Sequence, residues 1–227
     1  GRITAKQLNL ALMKGARFDK IYDGNANVTQ TLAKGGNYTL TGFVGTEGDH
    51  LALASATGTY MAGKNAGADK AVTFDGLTLT GTGAGNYVLN RTSLASIGTI
   101  SRRALTLGAV AAQTKTYDGN VSADAAHFHA TLGNVVAGEE NSVTATATGA
   151  TYNDKNVAGA NTVGYTGVQL TGTGAANYSI ADNAQGAGTI TPRDLTLTAD
   201  AASVTQGEAL PAFKGKAQGF ADGEDES

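Results

Sequence analysis

Apolar and polar side chains alternate with a period of two residues along much of the chain. The alternation is clear over 7–12 and returns at 104–107 and 194–198. A period of two is typical of strands with one buried face. Turn signals such as Asp23-Gly24 and Asp75-Gly76 separate these runs. The sequence therefore predicts an all-β fold.

The spacing of the predicted strands favours small β-sandwich domains. Strands that alternate with turn signals every 8 to 12 residues or so are typical of Ig-like sandwiches. A β-grasp-like arrangement, in which one helix crosses a sheet, stays open, since Ala123-Asp124-Ala125-Ala126 is compatible with one helical turn.

The chain repeats itself over a distance that fits a whole domain. Segment 64–87 aligns without a gap on 155–178, and 12 of the 24 pairs are identical. The marker Ile3 recurs as Ile100 and Ile190, which gives periods of 97 and 90 residues. Such periods are too long for solenoid repeats and suit small domains with their own cores.

The repeats divide the chain into four parts. We expect the end of a preceding repeat at 1–3, a first repeat at 4–100, a second at 101–190, and the truncated start of a third at 191–227. Because each junction runs from one predicted strand into the next, the two complete repeats are expected to lie end to end, each contacting only its neighbours.

Composition excludes several classes of function. The 227 residues include no Cys, which removes disulfides, zinc–thiolate sites and thiol catalysis. The formal net charge of −3, with basic residues scattered singly, argues against nucleic-acid binding. No apolar run approaches the roughly 18 residues of a membrane span, so membrane insertion is not expected. We expect no cofactor.

Two motifs recur in both repeats. The first is Tyr22-Asp23-Gly24, repeated as Tyr117-Asp118-Gly119 and preceded by lysine two residues earlier. A catalytic or metal-binding use of the aspartate is conceivable, but a tight turn explains each residue type. The second motif is Asn86-Tyr87, repeated as Asn177-Tyr178. We expect all four tyrosines to be buried and structural.

Other candidate sites find less support. The Gly81–Gly85 tract resembles a phosphate loop, but a strand rather than a helix follows it, so a hairpin connection is expected. His127 and His129 have a spacing that can bind metal, although the first repeat lacks them and a solvent-facing pair is expected. No Ser-His-Asp set recurs in both repeats, and we expect neither a metal site nor an enzyme.

With these motifs and the Gly-Thr-Ile that closes each repeat, residues 4–190 resemble the YDG-domain family. Its members are extracellular repeats of large bacterial surface proteins, commonly of the filamentous-haemagglutinin type. The third segment lacks Tyr-Asp-Gly; its Gly207, Pro211 and Gly219-Phe220 are similar to the start of the related MBG repeats.

The resemblance implies a stalk or spacer in an adhesin, outside the cell at the bacterial surface or secreted. Its expected partners are neighbouring repeats of the same chain, with host or biofilm glycans as candidates for other regions. The alternative is a carbohydrate- or surface-binding module that uses exposed loops or the Thr-rich strand at 144–148. The aligned positions in the first repeat, Ala52, Ala54 and Ala56, argue against a repeated binding face.

Overall fold

The computed structural model describes residues 1–226 and shows an all-β chain, as predicted. Within this range each helix is a single 3₁₀ turn of three or four residues: Glu47–His50, Ala84–Asn86, Ala125–His127 and Ala175–Asn177. None of them is long enough to cross a sheet as the helix of a β-grasp fold does. The described residues therefore match the sandwich alternative.

Short strands make up the rest of the regular structure. The first repeat contains β1 to β9: Lys6–Leu12, Lys20–Ile21, Tyr38–Thr41, Leu51–Leu53, Thr59–Tyr60, Gly67–Phe74, Leu79–Gly81, Tyr87–Leu89 and Leu94–Ser101. The second contains β10 to β19: Arg103–Ala104, Thr106–Val110, Gln113–Thr116, Ala130–Gly133, Thr144–Thr146, Gly149–Tyr152, Thr162–Thr166, Gln169–Thr171, Tyr178–Ser179 and Asn183–Thr191. The last segment contains β20 and β21: Thr196–Ala199 and Gly215–Gln218.

Residue contacts divide the chain into two compact units. Unit 1 consists of three segments: Gly1–Leu105, Asn134–Val143 and Gly172–Ser179. Unit 2 consists of the remaining described residues: Thr106–Gly133, Thr144–Thr171 and 180–226. Three segments of the second sequence repeat, 101–105, 134–143 and 172–179, thus belong to unit 1. The repeat limits at 4–100 and 101–190 stay predictions from the sequence.

Unit 1 has a four-stranded sheet in the order β2-β9-β6-β5 and a three-stranded sheet in the order β3-β1-β8. Both sheets bury alternate apolar side chains, as the period of two predicts. Leu8 and Leu10 of β1 are fully buried, and so are Val72 and Phe74 of β6. Phe18 packs against Phe74 with ring centroids 4.7 Å apart.

Unit 2 has a similar four-stranded sheet, β12-β19-β16-β15, but two-stranded pairs, β11-β13 and β14-β17, in place of a three-stranded sheet. Val163 and Tyr165 of β16 are buried, and Phe128 lies 4.9 Å from the Tyr165 ring. The second repeat contributes β10 and β18 to unit 1, where they pair in parallel.

The glycine tract does not connect a hairpin, and that expectation is wrong. β7, before the tract, pairs with β4, whereas β8, after it, pairs in parallel with β1. The Ala84–Asn86 turn thus carries the chain from one sheet to another. In the second repeat, the strands on either side of the equivalent tract are β17, paired with β14, and β18, paired with β10.

The last segment forms an antiparallel pair, β20 with β21. The alternation at 194–198 correctly predicts a strand, but not a buried face. Leu195 is 52% exposed and Leu197 is 78% exposed, whereas the equivalent Leu8 and Leu10 are fully buried. In the residues that the structure describes, no third strand joins this pair.

Candidate functional site

A lysine clamp organises each Tyr-Asp-Gly turn. The side chain of Lys20 on β2 is 2% exposed. Its Nζ donates to Asp23 Oδ1 at 2.6 Å and to the carbonyls of Asn25 and Asn27 at 2.9 and 2.7 Å. A buried ammonium is costly unless it is paired and hydrogen-bonded, and here it is both. The aspartate of the motif therefore compensates a buried charge.

The second repeat contains the same clamp. Lys115 Nζ donates to Asp118 Oδ1 at 2.6 Å and to the carbonyls of Asn120 and Ser122. This hydrogen bond is the main reason that the pKa of Asp118 lies below its ordinary value. Each aspartate accepts a hydrogen bond from the lysine of its own turn, so the turn interpretation accounts for both.

Gly24 supplies both backbone conformation and space. Its φ is +82° and that of Gly119 is +80°, the left-handed region that a tight turn with glycine uses. A Cβ on Gly24 would lie 2.8 Å from Val136 Cγ1. The glycine thus allows the 134–143 segment of unit 1 to approach the turn.

The Tyr22 hydroxyl forms a hydrogen bond with a glutamate from the second repeat. Its side chain is fully buried, and its hydroxyl donates to Glu139 Oε1 at 2.7 Å and Oε2 at 3.0 Å. The Tyr22 ring meets the Tyr178 ring edge-on, with centroids 5.4 Å apart and an interplanar angle of 81°. Such a pair is worth about 0.5–1.5 kcal/mol beyond its buried area.

Glu139 collects three donors. Besides Tyr22, it accepts from the Tyr178 hydroxyl at 2.7 Å and from Lys64 Nζ at 2.6 Å. Burial by itself would raise the pKa of Glu139, but the hydrogen bonds from Lys64, Tyr178 and Tyr22 outweigh it and lower the pKa to about 2. Burial and the bond to Glu139 raise the pKa of Tyr178 to about 12. Glu139 is therefore a carboxylate at neutral pH.

Asn177 ties its own turn to the first repeat. It is 6% exposed, its Oδ1 accepts from the Ala66 amide at 2.9 Å, and its Nδ2 donates to Asn65 Oδ1 at 3.2 Å. We call the set Tyr22, Lys64, Asn65, Glu139, Asn177 and Tyr178 the clasp. All six residues belong to unit 1.

Hydrogen bonds to backbone groups hold the two clasp segments from the second repeat in place. Arg103 Nε donates to the Asn134 carbonyl at 2.7 Å, which anchors the segment that carries Glu139. Arg103 also pairs with Tyr178 in the parallel β10–β18 ladder. The Val136 amide donates to the Tyr178 hydroxyl at 3.2 Å. The clasp is thus part of the sheet structure of unit 1.

The equivalent residues elsewhere form only parts of a clasp. In unit 1, Tyr87 donates to Glu47 and accepts from the Val44 amide at 3.1 Å, while Asn86 is exposed. In unit 2, Tyr117 donates to Glu224. The three glutamates end similar segments: 42–47, 134–139 and 219–224.

The burial prediction is confirmed for three of the four tyrosines. Tyr22, Tyr87 and Tyr178 are at most 7% exposed, whereas Tyr117 is only half-buried. Tyr117 differs because no equivalent of Tyr178 covers its ring among the described residues of unit 2.

Sequence reasoning missed Glu139 and the role of Lys64 as its hydrogen-bond donor. Lys64 recurs as Lys155 in the aligned segment, and the three segments that end in glutamate recur less closely. The recurrence of these charged residues was the available signal, but the partner of each one depends on a contact between distant segments.

The histidine pair faces solvent, as expected. His127 and His129 are both exposed, and His127 lies in a 3₁₀ turn with Nδ1 2.9 Å from Asp124 Oδ2. Among residues 1–226, no three histidine or acidic side chains come together as a metal-binding group.

Within the same range, no helix has the length and apolar character needed to cross a membrane.

Comparison with known proteins gives one family. A family model described as YDG domain matches residues 4–94 and 101–186, well over half of the chain. No curated protein and no solved structure shows a significant match to it.

Proposed function

The chain belongs to the YDG domain family, and on that premise we propose that it is an extracellular structural repeat segment of a large bacterial surface adhesin. In this role it is a stalk or spacer that holds a distal binding region away from the cell. The last segment, with Gly207, Pro211 and Gly219-Phe220, is proposed to begin an MBG-type repeat.

The observation that carries this proposal is the inward use of the repeated motif. Asp23 and Asp118 compensate lysines of their own turns, and Tyr22 and Tyr117 donate to glutamates of the same chain. Motif residues that form contacts within the chain support a structural role, since a ligand-binding motif has to present its side chains to the ligand.

The clasp adds a mechanical argument. It joins residues that are more than 100 positions apart, such as Tyr22 with Glu139 and Ala66 with Asn177. Hydrogen bonds between such distant residues resist the separation of successive repeats under load, which is what a spacer requires. They also give a reason for the repeats to carry the same motifs.

Replacement within the parent surface protein tests the proposal. Residues 4–190 are replaced by an unrelated tandem of β-sandwich domains with the same number of residues, and in a second variant they are deleted. A spacer predicts that adhesion through the distal region survives replacement and falls on deletion. Loss of adhesion in both variants, together with saturable binding of the isolated chain on a glycan array, would instead establish a binding module.

A further inference from the structure

Unit 2 has an open groove beside the half-buried ring of Tyr117. The groove has a volume of about 770 Å³, and its main lining residues are Tyr117, Asn156, Arg193, Leu195, Phe220 and Glu224. All of them belong to unit 2. The groove follows the chain at 192–195, directly before β20.

Unit 1 contains the same groove in a filled state. The positions equivalent to the six lining residues are Tyr22, Asn65, Arg103, Leu105, Val135 and Glu139. There the segment Asn177–Tyr178 lies among them, and the cavity left beside Tyr22 and Glu139 is about 320 Å³. The groove of unit 1 is therefore occupied by Asn177–Tyr178, whereas the equivalent groove of unit 2 is open.

The backbone edge of the groove is open for a strand. In unit 1 the Leu105 amide donates to the Ser179 carbonyl at 2.8 Å, next to the parallel β10–β18 ladder. In unit 2 none of residues 1–226 accepts a hydrogen bond from the equivalent Leu195 amide. An unpaired strand edge is a template for an added strand.

The apolar side chains that line the groove are also more exposed in unit 2 than in unit 1. Leu105 is 7% exposed and Tyr22 is fully buried where the segment is present. Leu195 is 52% exposed and Tyr117 is half-buried where it is absent. Covering these two side chains is favourable, because it removes apolar surface from water.

We propose that the groove of unit 2 binds an extended segment with the sequence Ala-Asn-Tyr, the closing segment of a YDG repeat, as a parallel strand. The bound tyrosine stacks edge-on against Tyr117 and donates its hydroxyl to Glu224. The bound asparagine pairs with Asn156 and with the amide of Val157, as Asn177 does with Asn65 and Ala66. The backbone pairs with Arg193 and Leu195.

A peptide titration tests this site in the full chain. The probe is Thr-Gly-Thr-Gly-Ala-Ala-Asn-Tyr-Ser-Ile-Ala, the sequence of residues 171–181. The ¹⁵N-labelled protein is followed by NMR at constant protein concentration. We expect saturable shifts confined to the groove, with Leu195, Phe220 and Glu224 among them, and no change at Asn177, because the unit 1 groove is filled.

Matched variants identify the contacts. A peptide with alanine in place of tyrosine should bind at least about tenfold more weakly, and so should the protein variant Glu224→Gln, because each loses a hydrogen bond to a charged group. Glu208→Gln, an exposed glutamate of the same segment, should bind as the unchanged protein does. Unchanged resonances of unit 2 residues away from the groove, such as Val163 and Tyr165, show that each variant is folded.

Three outcomes overturn the proposal. One is the absence of saturable shifts up to about 1 mM peptide, an affinity limit of about −4 kcal/mol. Another is equal binding of the alanine peptide. The third is a set of groove shifts that appear on raising protein concentration without peptide, because the occupant is then a second copy of the chain.

Discussion

At the scale of single residues, each position of the Tyr-Asp-Gly motif has its own contact. Tyr22 reaches Glu139, Asp23 compensates Lys20, and Gly24 combines a positive φ with a close approach to Val136. The turn itself could be predicted, since Asp and Gly have local reasons to be there. Glu139 could not, because its donors come from positions 22, 64 and 178.

Removing the tyrosine ring should cost more in the first repeat than in the second. Tyr22→Ala is expected to lower the free energy of unfolding by about 3–5 kcal/mol, the usual range for a large buried aromatic. Tyr117→Ala should cost less than half as much, since its ring is half-buried. Urea denaturation of both variants measures the difference, and equal losses would show that the open groove has no energetic consequence.

Protonation of Glu139 should weaken the clasp in acid. Its folded-state pKa of about 2 lies below the ordinary 4.5. The carboxylate therefore stabilises the fold above pH 4.5, and this contribution disappears as the pH falls towards 2. At neutral pH, Glu139→Gln should cost about 2 kcal/mol.

The test compares Glu139→Gln with the unchanged protein across this range. The difference between their free energies of unfolding should be constant above pH 4.5 and shrink below it. If the difference in free energy of unfolding is the same at neutral pH as near pH 2, the charge of Glu139 does not contribute to the clasp.

At the scale of elements, the period of two identified strands and their buried faces, such as Leu8 and Leu10 of β1. It did not identify partners. The parallel pairs β1–β8 and β2–β9 join the two ends of a repeat, and alternation within one strand says nothing about which strand lies beside it. The hairpin expectation for the glycine tract failed for this reason.

Two glycines with nearly the same φ separate backbone strain from crowding. Gly15 has φ +81° and open space where an added Cβ would lie, whereas Gly24 has φ +82° and Val136 within 2.8 Å of such a Cβ. Gly15→Ala should cost about 1 kcal/mol for the left-handed backbone alone. Gly24→Ala should cost at least about 1 kcal/mol more, because the added methyl overpacks the turn. Thermal denaturation that ranks the two variants equally would rule out the close approach.

The two copies of the Asn-Tyr element provide another matched pair. Asn177 is buried with two side-chain hydrogen bonds, and Asn86 is exposed. Asn177→Ala should cost about 1–2 kcal/mol, because the Ala66 amide loses its acceptor, and hydrogen exchange at Ala66 should accelerate. Asn86→Ala should stay within about 0.5 kcal/mol of the unchanged protein. The reverse order would mean that the element itself, and not its contact with Asn65 and Ala66, requires asparagine.

At the scale of the whole molecule, the sequence repeat and the compact unit are different divisions. The repeats were visible because 64–87 and 155–178 share so many residues. The position of 134–143 and 172–179 in unit 1 was not visible, because it involves contacts between distant segments, such as those of Tyr22 with Glu139 and Tyr178. These pairs connect positions with no local relationship in the sequence.

The central claim is that Tyr22 and Glu139 stabilise unit 1 through each other. A double-mutant cycle of Tyr22→Phe and Glu139→Gln, followed by urea denaturation in the full chain, measures this directly. The account predicts a coupling free energy of about 1 kcal/mol or more, and additivity within about 0.3–0.5 kcal/mol for the control pair Tyr22→Phe and Glu47→Gln, which share no contact. A coupling for Tyr22 and Glu139 no larger than that of the control pair would contradict the claim.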